Sequence, residues 1–275
     1  MKTILLHVQD DPRVDVRVEN ALALARSCDA HLDVLHVTPD DVAAVFESFG
    51  GVEASGDGLK AFEKRECELE ERVKKELSNE DVSWEYFRET GSILNSIANH
   101  AALADLIVAG RAAHRDKDDD TAIALLGDLL TNSRTPVWLR GDEQERYNPN
   151  CIAVIGWDGS FEVANAVRGG ISVLQQASEV HVVRVTDKGA EVAAGMYPVD
   201  SVLKYLSRNG VHAEYSRIAK VDGKTVNALL DFAEKKGAGL LTVGGYSHSR
   251  IGQRLFGGVT RSLLTSCPIA LMIAH

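Results

Sequence analysis

"ILLHVQDDP" (residues 4–12) and "IAVIGWDGS" (residues 152–160) carry the organisation of the chain, because each is an apolar run that ends at an aspartate. Aligning Asp10 with Asp158 sets the two stretches 148 positions apart. The same spacing relates "LDVLHV" (32–37) to "VHVVRV" (180–185). Further along, "DLIVAGRAAH" (105–114) answers "GLLTVGGYSH" (239–248) at a spacing of 134, and "TPVWLR" (135–140) answers "CPIALM" (267–272) at 132. The order is kept while the spacing shrinks by 16, so the first half carries the extra residues and the chain reads as a duplication. Between the apolar runs lie longer stretches of helical period. Val163, Val167, Ile171 and Leu174 recur near that period behind Ser160, a residue suited to cap a helix. "TVNALLDFAEKK" (225–236) is helical, "VHAEYS" (211–216) alternates as a strand, and a further helix is expected from about Leu255 to Ser266. Strands alternating with helices predict an α/β chain with a mainly parallel sheet covered on both faces.

The 275 residues suffice for two modest domains. Expected boundaries are 1–141 for the first, a polar linker over 142–150, and 151–275 for the second. The first half also holds an excursion, where Gly50, Gly51, Gly56 and Gly58 mark a loop ahead of a charged helix whose apolar face is Leu59, Phe62, Leu69, Val73 and Leu77. Composition narrows the function. A net charge of −10 opposes a phosphate backbone, so nucleic acid is not an expected partner. No apolar run is long enough to span a bilayer, and the N-terminus lacks a signal-peptide core, so a membrane role is not expected. Cys28, Cys67, Cys151 and Cys267 form no CxxC pair, which suggests neither a zinc site nor a disulfide framework and fits a cytoplasmic protein.

In an open parallel sheet, ligands sit beyond the carboxyl ends of the strands, at the point where the strand order reverses. In the second half Asp158, Val185 and Gly244 close successive strands. "GGYSHSRIGQRLFGGVT" (244–260) then leads into a helix, and such a glycine-rich entry offers free backbone amides and the positive helix end to a phosphate. Other arrangements carry less. "DGKT" (222–225) lacks the preceding glycine of a phosphate loop and reads as a helix start. His7, His36 and His181 fall in strand patterns and read as structural residues, and the sequence holds neither an HxxxH pair nor a nucleophile elbow. The acidic run Asp116, Asp118, Asp119 and Asp120 lacks the pattern of a calcium loop and reads as solvated.

On Asp158 and the 244–260 stretch the chain resembles the universal stress protein family, and the resemblance spans both halves. The family's G-x2-G-x9-G-[ST] pattern lies on Gly244, Ser247, Gly257 and Gly258, continued by Val259 and Thr260. Ser247 replaces the second glycine, and Gly258 replaces the hydroxyl residue. The resemblance implies two tandem flavodoxin-like (Rossmann-like) three-layer domains, each with five strands in the order 3-2-1-4-5. It also implies pairing of the halves about a pseudo-twofold axis, with "VWLR" against "ALMIA", and it is compatible with a homodimer of the whole chain. For nucleotide-binding members it implies ATP, AMP or a related adenine nucleotide with Mg²⁺. The residues to hold it are Asp158, Gly159, Val185, Gly244, Ser247, His248, Arg250, Gly257, Gly258, Val259 and Thr260, with no catalytic residue and no metal ligand among them. The first half, with Ala113 after Gly110 and Asp11 beside Asp10, is expected to be degenerate for nucleotide. A nucleotide-sensing regulator, a nucleotide-free interaction module and a slow ATPase are the three functions compatible with these residues.

Overall fold

The computed structural model describes residues 1–40, 56–111, 120–142, 146–187, 197–245 and 258–275. The first half runs β1 (Thr3–Val8), α1 (Val14–Cys28), β2 (His31–Thr38), α2 (Gly56–Ser78), β3 (Trp84–Thr90), α3 (Ile93–Ala101), β4 (Leu106–Ala109), α4 (Asp120–Asn132) and β5 (Val137–Leu139). The second runs β6 (Ile152–Gly156), α5 (Phe161–Gly169), α6 (Ile171–Leu174), β7 (Glu179–Thr186), α7 (Val199–Arg208), β8 (Ala213–Ala219), α8 (Thr225–Lys236), β9 (Ala238–Gly244), α9 (Gly258–Thr265) and β10 (Ala270–Ala274).

The strands form one ten-stranded sheet in the order β3-β2-β1-β4-β5-β10-β9-β6-β7-β8. Each half has the order 3-2-1-4-5, and the second is laid out in reverse from the middle. Neighbouring strands within a half are parallel. At the seam β5 and β10 run antiparallel, with Leu139 opposite Leu271, Trp138 opposite Met272 and Val137 opposite Ile273. This pairing fits the expected twofold relation and covers two apolar edges that would otherwise invite association. Central strands such as β4 and β10 are buried throughout, as continuous apolar runs require, whereas the outer strands β3 and β8 alternate between partly buried and exposed residues.

Helices cover both faces. On one face α1, α2, α5, α6 and α7 bury Val18, Val73, Val167, Leu174 and Leu206 in a common cluster with the sheet. On the other, α3, α4, α8 and α9 bury Ile97, Leu129, Leu229 and Leu263. Both clusters run across the seam, so the two halves share their cores.

Several local expectations change. The helix expected from Ser160 onward breaks at Gly170, where the backbone lies close to its neighbours: a Cβ on Gly169 would lie 2.5 Å from Pro136 Cγ, and one on Gly170 would collide with Met272. Gly56 and Gly58 belong to α2 rather than to a loop, while Gly50 and Gly51 lie outside the described residues. Of the helix expected from Leu255, the described part is Gly258–Thr265. The polar stretch after β5 is docked at both its described ends. Asp142 exchanges backbone and side-chain hydrogen bonds with Cys267, and the Tyr147 amide donates to Asn20 Oδ1 at 2.8 Å while its ring packs edge-on against Trp138.

The strand ladder also separates the two aspartates that the apolar runs align. Leu6 pairs with Val108 and Ile155 with Thr242, which fixes Leu6 and Ile155 as equivalents. Continuing the strands one residue at a time, His7 matches Gly156, Val8 matches Trp157, and Gln9 rather than Asp10 matches Asp158. A slip of one residue along a strand exchanges its faces, and the core clusters agree: Leu6 and Ile155 lie in one, Leu5 and Val154 in the other.

Candidate functional site

A cavity of about 410 Å³ opens at the carboxyl ends of β6, β7 and β9, where the strand order of the second half reverses. Its apolar walls are Val183, Val185, Leu229 and Val243. Gly156 contributes no side chain; a Cβ there would already stand 3.0 Å from Leu229 and 3.1 Å from Val243. Asp158 lies at the rim, just after β6. Its Oδ1 accepts from the Ser160 amide at 2.9 Å, and Gly159 makes this turn with φ at +82°, a conformation that side chains disfavour. Ser160 in turn caps α5 by accepting from the Val163 amide.

A second helix, α8, begins at the cavity at Thr225, and Gly258, Val259 and Thr260 of α9 lie on its wall. The first amides of a helix have no partner within it, and they carry the positive end of its dipole. At the mouth, Lys220 Nζ pairs with Asp187 at 2.8 Å, and Thr186 lines the wall beside them.

Of the residues expected from sequence, Asp158, Val185, Gly244, Gly258, Val259 and Thr260 line this one cavity. Gly159 sits in the turn after Asp158. Ser247, His248, Arg250 and Gly257 lie outside the described residues. Thr186, Asp187, Lys220 and Thr225 line the cavity as well, although nothing in the sequence singles them out as ligand residues. The signal for Thr225 is present in "DGKT": that stretch starts a helix, as expected, and the helix points its start at the cavity. Gly244 has a packing explanation. A Cβ on it would lie 2.5 Å from the backbone nitrogen of Val163 and 3.0 Å from Glu162 Cβ, so the first turn of α5 can rest on β9 only over a glycine. Gly258 is different, since a Cβ there would meet nothing within 4 Å among the described residues.

Residues 152–275, which hold every element of this site, match the sequence profile of the universal stress protein family. The second half is a universal stress protein domain. In fold the whole chain is similar to a universal stress protein from Archaeoglobus fulgidus, at 15% identity and a TM-score of 0.74, over 99% of this chain and 95% of that one. It is also similar to a functionally unknown protein from Pseudomonas aeruginosa, at 14% identity and a TM-score of 0.61, over 100% of this chain and 92% of that one. Among curated proteins none matches. Among the described residues no helix is long and apolar enough to cross a membrane, and all four cysteines are free thiols.

The first half repeats the architecture of the universal stress protein domain but sets larger side chains at two corresponding positions. His7 stands where that domain has Gly156, and it is buried. Burial, with smaller contributions from Arg17 and His36 and against the pull of Asp11, holds the His7 pKa down to about 3, so the imidazole is neutral. Beside the end of β4, Arg17 takes over. Val14, Arg17 and Val18 of α1 match Val163, Ala166 and Val167 of α5, each set buried. The Arg17 guanidinium packs against Gly110, where a Cβ would collide with it. Its Nε donates to the His7 carbonyl at 3.0 Å, and it pairs with Asp11 at 2.5 Å. Asp120 begins α4, while Ala113, Asp116, Asp118 and Asp119 lie outside the described residues.

Proposed function

We propose that the universal stress protein domain binds an adenine nucleotide, ATP or AMP, and that the protein acts as a regulator whose contacts respond to occupancy. The observation that carries this reading is the convergence of the α8 start at Thr225 and of Gly258, Val259 and Thr260 of α9 on one apolar-walled cavity with a carboxylate at its rim. Its volume of about 410 Å³ lies within the range of small-molecule pockets, roughly 300–1,000 Å³. Val183, Val185, Leu229 and Val243 suit the faces of a base. Asp158 suits a ribose hydroxyl or an exocyclic amine. The amides at the start of α8, from Thr225, suit phosphates. Lys220 can exchange Asp187 for a phosphate, and Mg²⁺ would arrive with the nucleotide, offsetting the charge of Asp158 and Asp187.

One observation favours a nucleotide-free interaction module instead. Gly244, the first glycine of the family pattern, is accounted for by the packing of α5 alone. Calorimetric titration with ATP and AMP separates the two readings. Submillimolar binding in the full chain, abolished by Gly156→His, is expected from a nucleotide site, because that substitution brings the first half's obstruction into the cavity. Absence of heat at millimolar nucleotide would leave the interaction module. Phosphate release above background, lost in the same variant, would instead mark a slow ATPase.

A further inference from the structure

Far from the cavity, on the outer strands of the first half, three metal-ligating side chains face one another. His31 and Asp33 stand two apart on β2 and so project from one face, and Asp33 pairs in register with Glu85 on β3. His31 Nε2 lies 3.2 Å from Asp33 Oδ1, and one ligand atom from each of the three residues lies within 4.8 Å of the other two. Donors held at about 2.1 Å around a tetrahedral ion stand roughly 3.4 Å from one another. The imidazole and the Asp33 carboxylate already have that spacing, and the exposed Glu85 side chain closes the rest by rotation. The ring is set by its other nitrogen, Nδ1, which lies 2.8 Å from Ser83 Oγ, the outer contact that metal-binding histidines use to fix their orientation. Among the described residues no lysine or arginine pairs with Asp33 or Glu85, so the two carboxylates meet without a permanent cation.

The duplication supplies an internal control. Glu179 and His181 occupy the positions of His31 and Asp33, and His181 pairs in register with Glu214. One imidazole and two carboxylates recur, but their geometry does not. His181 is buried between the carboxylates, with Glu179 Oε2 at 3.4 Å from Nε2 and Glu214 Oε2 at 3.5 Å from Nδ1. The two acids approach opposite ring nitrogens, so they share no point at which an ion can sit with the ring. Convergence at His31 is therefore a matter of placement, not of residue types.

We propose that His31, Asp33 and Glu85 bind a divalent transition-metal cation of the Zn²⁺ type. One imidazole with two carboxylates suits such an ion, and three protein ligands leave a position for water. Bound there, the ion ties the outer strand β3 to β2. The test is calorimetric titration of the chelator-treated full chain with ZnCl₂. One Zn²⁺ per chain is expected at micromolar affinity, weakened at least tenfold by His31→Ala and by Glu85→Gln and severalfold by Ser83→Ala. His181→Ala is expected to leave it unchanged. Zn²⁺ is also expected to raise the melting temperature of the wild type and not that of Glu85→Gln, whose altered side chain is exposed and leaves folding intact. Binding no tighter than millimolar, or equal affinity in the wild type and Glu85→Gln, would overturn the proposal.

Discussion

In the second half the end of β9 rests against the backbone of α5 and leaves a cavity above β6; in the first half the end of β4 rests against a guanidinium, and an imidazole rises from β1. The strand order is the same, and so is the register at the site end. Two residues differ at the corresponding positions, His7 in place of glycine on the strand and Arg17 in place of alanine on the helix. A shared architecture thus says little about a site: a binding cavity in this fold depends on what is left out as much as on what is supplied.

The largest way to break the comparison is Arg17→Ala, which gives the first half the residue of the second. The side chains of Arg17 and Asp11 are only 4% and 14% exposed, so the substitution strands a largely buried carboxylate. A loss of about 3–5 kcal/mol is expected from urea unfolding, with no nucleotide binding gained, because His7 still stands where the second half has Gly156.

His7 itself ties stability to pH. Its folded pKa of about 3 lies below the ordinary 6.5, so the unfolded chain takes up the proton first. The contribution of the neutral ring is complete above pH 6.5 and is lost as pH falls towards 3. Between about pH 6.5 and 4.5 the change amounts to roughly 2–3 kcal/mol. Unfolding curves of His7→Leu over that window are expected to be flatter than wild type by this amount.

The smallest effect sharpens the other side of the comparison. Gly258→Ser adds a hydroxyl on α9 at the cavity wall, where a side chain meets no obstruction among the described residues. One added hydrogen bond is worth about 0.5–1.5 kcal/mol, so ATP affinity is expected to rise roughly twofold to tenfold by calorimetry, with little change in melting temperature.

The mainly parallel sheet was legible in the sequence, because apolar period and order survive duplication, while its strand order and the pairing of Val137–Leu139 with the last strand followed only from the family resemblance. The pairing of Asp10 with Asp158 misled. Both runs end in an aspartate, and only the ladder reveals that one strand is shifted by a residue, since apolar runs buried on both faces carry no alternation to reveal which side each residue faces. His7 and Arg17 were not legible as obstructions for a related reason: each lies in an ordinary strand or helix pattern, and its effect depends on a partner, Gly110 or the far helices, distant in sequence. Lys220 and Asp187 were missed because the cavity mouth is assembled from the ends of β7 and β8, and neither residue sits in a motif. The His31, Asp33 and Glu85 cluster likewise requires the register of β2 against β3, which places residues 33 and 85 side by side.

Because the seam joins β5 to the last strand in sequence, the two partners are synthesised far apart in time. β10 begins at Ala270 and β5 ends at Leu139, and at the usual pace of roughly 5–20 residues per second that interval lasts many seconds. Through it the buried strand Val137–Leu139 has no neighbour on its outer side. A nascent first half therefore waits on the ribosome with a sticky flank, which makes this interval the time when chaperone protection matters most.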